Sequence, residues 1–142
     1  MSTPKKVTGI GGIFFKCQDP EAVRTWYAQH LGLPTDEYGA TFEWRHLDKP
    51  SVKGNTVWGT FKAENKYFEP STKEFMFNFR VENLDYLLEE LKKEGIEPLG
   101  EVQEYDFGKF AHIMDPEGNK IELWQANDSD DSEANTSEAI SE

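Results

Sequence analysis

Gly108-Lys109-Phe110-Ala111-His112-Ile113-Met114-Asp115-Pro116-Glu117-Gly118-Asn119-Lys120-Ile121-Glu122-Leu123-Trp124 is the stretch that decides the fold. Two apolar runs flank Asp115-Pro116-Glu117-Gly118-Asn119, which has the chemistry of a tight turn. Proline presets φ for the first turn position, and glycine supplies a positive φ. A hairpin centred on Glu117 sets His112 opposite Glu122, on one face of the sheet. An ionisable pair on a strand face is costly if buried, so it points to a function.

Working outward from this hairpin, the chain repeats itself. Phe15-Lys16-Cys17-Gln18-Asp19-Pro20 is an apolar strand running into a helix start, and Phe79-Arg80-Val81-Glu82-Asn83-Leu84 repeats the pattern 64 residues on. Asp19 is a helix cap, with Pro20 in the first turn. Val23, Trp26, Tyr27, His30 and Leu31 form a helical stripe, and Gly32 stops it. In the second copy Asn83 caps, Leu84, Leu87, Leu88 and Leu91 form the stripe, and Gly95 stops it. Extended segments follow each helix: Ala40–Arg45 and Thr56–Phe61, then Leu99–Glu104 and the hairpin. Each half reads as βαββ extending to βαβββ. A unit this small buries its sheet face only by pairing with another, and two curved sheets then enclose a cleft.

The 142 residues suffice for one domain with a core, here 7–125, with module one at about 7–64 and module two at about 74–125. Residues 1–6 read as a flexible N-terminus. Residues 126–142 read as a disordered acidic tail, carrying six of the twelve excess negative charges and no Lys or Arg. Net acidity without a basic patch argues against nucleic acid and anionic membranes. No apolar run is long enough to span a membrane, and the N-terminus lacks the apolar segment of a signal peptide. The single cysteine, Cys17, reads as a core thiol. A reducing cytoplasm fits, and the sequons at Asn127 and Asn135 then read as accidental.

Thr8–Phe15, Asp19-Pro20, Trp26-Tyr27, Leu31-Gly32-Leu33, Phe79–Asn83 and Asp115–Glu122 together resemble the vicinal oxygen chelate superfamily: the glyoxalase, bleomycin-resistance and extradiol-dioxygenase proteins. The resemblance spans residues 7–125. It implies an α+β fold in which two βαβββ modules form one curved-sheet cleft, and it implies a homodimer. It does not choose a reaction, because this superfamily includes isomerases, dioxygenases, thiol transferases and non-catalytic drug binders.

Carried over residue by residue, the superfamily's metal positions fall on Gly12, Met76 and Glu122, with Trp58 as the nearest fourth. Only Glu122 suits a hard or borderline cation, and a catalytic metal normally has about three protein ligands. The expectation is therefore a cleft without metal or other cofactor. Its candidate ligand-binding residues are Gly12, Phe14, Trp58, Met76, Asn78 and Trp124, and its candidate catalytic pair is Glu122 with His112. Strand alternation adds Ile10, Arg80 and Lys120. Tyr67 and Phe68, between the modules, either cover the cleft, contact a second subunit or pack a plain linker. His30 reads as a partly buried helix residue and His46 as a surface one. Three functions follow: binding of a small organic molecule without metal; acid–base chemistry, as in an isomerase, lyase or epimerase, by Glu122 with a pKa raised in an apolar cleft; or metal-dependent lyase or dioxygenase chemistry with unusual ligands. The residues oppose the third and leave the first two open.

Overall fold

The computed structural model describes residues 4 and 6–130. The elements are β1 (Val7–Cys17), α1 (Pro20–Leu31), β2 (Gly39–Arg45), β3 (Lys53–Lys62), β4 (Phe75–Val81), α2 (Leu84–Lys93), β5 (Gln103–Tyr105), β6 (Gly108–Met114) and β7 (Lys120–Ala126). They form one seven-stranded sheet in the order β2-β3-β1-β4-β7-β6-β5. In each module the first strand runs parallel to the last, β1 with β3 and β4 with β7. The modules join through antiparallel β1 and β4. This is the expected α+β architecture. Only module two has three strands after its helix; module one has two, with a single bridge between Thr35 and Ala40.

The local signals act as read. The Asp19 side chain accepts from Ala22 N at 3.0 Å, and Gly32 ends α1 at φ 72°. Asn83 caps α2 through Tyr86 N. Asp115 Oδ1 accepts from the backbone N–H of Glu117 and Asn119, both at 2.9 Å, and Gly118 turns at φ 84°. The hairpin pairs His112 with Glu122.

One apolar cluster anchors the sheet. Leu84, Leu87 and Leu88 of α2 pack on Val81, Ala111 and Leu123. Helix α1 buries no residue fully. Its contacts are polar and aromatic: Arg24 donates to Thr60 Oγ1 at 2.9 Å, and Tyr27 meets Trp58 at 4.6 Å between ring centroids. Trp26, His30 and Leu31, expected in its buried stripe, are exposed, because the stripe is rotated toward Val23 and Tyr27. Cys17 is buried, as expected of a core thiol.

The boundary expected at residue 126 is not where packing ends. Beyond β7 the chain crosses the end of the sheet. Lys53 N donates to Ser129 O at 2.9 Å, and Asp130 bridges Val52. Asp128 accepts from Arg80 and lies 2.7 Å from His46 Nε2. Charge composition suggests a solvated tail there, but a buried arginine supplies a partner that composition does not reveal. His46 is thus tied down, contrary to the surface reading. Residues 131–142, and residues 1–6 apart from Pro4 and Lys6, lie outside the described residues.

Candidate functional site

Above the β1–β4 seam lies a cleft of about 420 Å³, lined by Gly11, Phe14, Val57, Phe61, Tyr67, Asn78, Tyr105, Phe107, Phe110, Glu122 and Trp124. Seven of these eleven are aromatic, so the wall is apolar with polar groups only at its base. A β-bulge between Ile10 and Gly12 shapes that base. It gives both Gly11 and Gly12 close neighbours over the cleft and turns Ile10 away, pairing it with Phe79 on the helix-covered face. A Cβ on Gly11 would collide with Asn78, Trp124 and Arg80. A Cβ on Gly12 would meet the Phe14 ring, and so would one on Gly59. The glycines therefore let side chains approach the backbone. Phe14, not an open space, occupies the room that Gly12 leaves.

At the base is a buried polar cluster. Glu122, 4% exposed, accepts at Oε2 from Tyr67 Oη and from His112 Nε2 (2.8 Å), and at Oε1 from Asn78 Nδ2 (2.7 Å). The carboxylate can only accept, which fixes the Asn78 amide orientation and places a proton on His112 Nε2. Burial alone would raise the Glu122 pKa. The hydrogen bonds from His112, Tyr67 and Asn78, with the charge interaction with His112, outweigh it and hold the carboxyl below its ordinary value. This corrects the raised pKa expected from the sequence. The Tyr67 phenol is pushed far up by burial and by Glu122. The cluster is an ionised acceptor surrounded by donors.

Tyr67 is a cleft residue whose place the sequence leaves undecided. Phe68, fully buried against Phe61, anchors the loop, and Tyr67 reaches from it into the cleft. Lys120 holds the loop by donating to Tyr67 O at 2.6 Å. Of the sequence candidates, Phe14, Asn78, Glu122 and Trp124 line the cleft, and His112 stands behind Glu122. Gly12 lies beneath Phe14, and Met76 is fully buried. Trp58 is on the other face, packed on Tyr27 and Phe15, because β3 presents Val57, Gly59 and Phe61 to the cleft. A register one residue off reverses the face. Arg80 lies between the Trp44 and Trp124 rings, 4.8 Å from each centroid, and points toward Asp128 rather than the cleft. Lys120 lies over Tyr67, 5.0 Å from its centroid. Gly11, Val57, Phe61, Tyr105, Phe107 and Phe110 line the cleft and are not among the sequence candidates. The parity of β3 signals Phe61, and the aromatic run at 105–110 signals Tyr105, Phe107 and Phe110.

The residues do not fit the metal that the fold family implies. Gly12 and Met76 offer no hard donor, and among the described residues no group of three or more His, Cys, Asp or Glu could hold an ion. Both Glu122 oxygens already accept from protein donors.

A sheet built from two such modules, with its cleft at the seam, defines a glyoxalase-type protein. Residues 12–124 match the glyoxalase-like domain family, and the chain belongs to it. No curated protein matches the sequence. Among solved structures, the chain is similar to methylmalonyl-CoA epimerase from Mycobacterium tuberculosis at 18% identity and TM-score 0.57, covering 89% of this chain and 93% of that one. A methylmalonyl-CoA epimerase complex with methylmalonyl-CoA and NH4+ is similar at 15% identity and TM-score 0.63, covering 85% and 96%. A variant of the Streptomyces coelicolor enzyme, bound to 2-nitronate-propionyl-CoA, is similar at 14% identity and TM-score 0.62, covering 85% and 99%. At these identities the likeness is one of fold. Among the described residues no helix is long and apolar enough to cross a membrane.

Proposed function

We propose that this protein binds a small organic molecule in the aromatic cleft, without a catalytic metal. The observation that carries this reading is the setting of Glu122, which is buried and engaged by three donors. Such a carboxylate is a poor proton acceptor and a poor metal ligand, which weighs against the acid–base and metal-dependent alternatives. It is well suited to fixing Tyr67, His112 and Asn78 as a rigid polar floor under an apolar wall, the usual make-up of a small-molecule site. A homodimer belongs to the same reading: Ile13, Phe75 and Phe77 form an exposed apolar group on the outer sheet face that a second copy would cover.

Indole is a suitable first probe, followed by chemical-shift titration. Val57 lines the cleft, so Val57→Trp should fill it and reduce indole binding at least tenfold while the fold persists. Unchanged binding would place the ligand elsewhere. Elemental analysis of the purified protein should find no stoichiometric divalent metal. Close to one ion per chain, lost in Glu122→Gln, would refute the metal-free reading.

A further inference from the structure

Resting on the small-molecule reading, we infer that the ligand of this cleft is an organic cation, an ammonium or amidinium group carried on an apolar body. The aromatic wall and the one lining carboxylate together select that class. Aromatic faces attract cations through their ring quadrupole, and more strongly where water is excluded. The Phe14 ring is seated against Gly12 and Gly59 and lines the cleft. Tyr105 and Phe107 stack at the rim, 5.4 Å between centroids, and both line the cleft.

No Lys or Arg is among the lining residues. Lys120 and Arg80 lie against rings beside the cleft, and the Lys120 charge acts on Glu122 from outside the lining. Lys120 sits over Tyr67 and donates to its carbonyl, and Arg80 sits over Trp124 and is bound to Asp128. Tyr67 and Asn78 donate to Glu122 as uncharged groups, and His112, the donor that can carry a charge, is not among the lining residues. A cation entering the cleft meets that charge across a low-dielectric space. The whole chain carries a net charge of −12, which favours the approach of cations and disfavours anions.

The test compares benzyltrimethylammonium with its uncharged isostere 2,2-dimethylpropylbenzene, titrated into the full chain by NMR. The cation should bind at least tenfold more tightly, and raising the salt should weaken the cation alone. Glu122→Gln should reduce the ratio toward one. Phe107→Leu, at a rim residue that is 58% exposed, should weaken the cation severalfold more than the isostere. Equal binding of the two probes, or preference for the isostere, would overturn the cation inference and leave the apolar-cleft reading standing. If neither binds at millimolar concentration, both readings fall.

Discussion

The two modules descend from one pattern of residues, yet they are held together differently. Helix α2 presents Leu84, Leu87 and Leu88 to the sheet and buries all three. Helix α1 buries none, and its Trp26 and Leu31 are 53% and 60% exposed. The core cluster consists wholly of module-two residues. Module two also supplies the rigid part of the site: Asn78 on β4, His112 on β6 and Glu122 on β7. Module one contributes mainly apolar wall, through Phe14, Val57 and Phe61. A polar cluster needs fixed geometry, and it stands on the better-packed half. An apolar wall tolerates looser support.

The largest expected effect separates the halves directly. Leu84 is fully buried. Leu84→Ala should cost about 3 kcal/mol, within the range for a large-to-small change in a packed core. The corresponding change on α1, Val23→Ala, should cost under about 1 kcal/mol, because that side chain is only partly covered. Urea unfolding of both variants measures this. Equal losses would show that α1 is packed as tightly as α2, and the asymmetry would be lost.

The next effect concerns the strap that ties the halves at the sheet end. Arg80, 4% exposed, is bound to Asp128, stacked between Trp44 and Trp124, and donates to Asn55 O at 3.1 Å. Asp128→Asn leaves this buried guanidinium without a charge partner. We expect a loss of about 2 kcal/mol, below the range for breaking a fully buried pair because the amide still accepts. Truncation after Ala126 should cost at least as much. A truncated protein as stable as the full chain would mean that residues 127–130 do not dock, as their composition alone suggests.

These two cases show how much was legible in the sequence. Periodicity and caps placed both helices, and the Asp115–Asn119 turn fixed the His112–Glu122 pairing, because those signals are local. Which helix packs tightly was not legible, since Val23, Trp26 and Tyr27 look as apolar as Leu84, Leu87 and Leu88. Burial is decided by partners distant in sequence. The same holds for Asp128, whose partner Arg80 is 48 residues away. It holds for Trp58 too, placed in the cleft by counting residues from Glu122. A single-residue difference in strand register between the modules moves it to the helix side. The bulge at Gly11–Gly12 was visible only as a glycine cluster.

The smallest effect tests the polar floor on which the contrast between the halves rests. Glu122 is buried, yet His112, Tyr67 and Asn78 hold its carboxyl below the ordinary value of 4.5. In the unfolded chain that stabilisation is absent, so as pH falls the unfolded state takes up the Glu122 proton first. The stability Glu122 contributes is therefore complete above about pH 4.5 and lost as pH falls below it toward the folded-state pKa. Glu122→Gln keeps the shape, removes the charge and sets an amide N–H against donors. It should cost about 1.5 kcal/mol at pH 7, the scale of a hydrogen bond to a charged group. Urea unfolding of both proteins at pH 7, 5, 4 and 3 isolates this contribution, because the other carboxylates are common to both. The wild-type advantage should be flat from pH 7 to 5 and shrink below that. An advantage that grows with acid would mean that the carboxyl takes its proton more readily in the fold than out of it. Glu122 would then be suited to proton transfer, module two would hold an acid–base residue instead of a fixed floor, and the epimerase-like alternative would displace the binding reading.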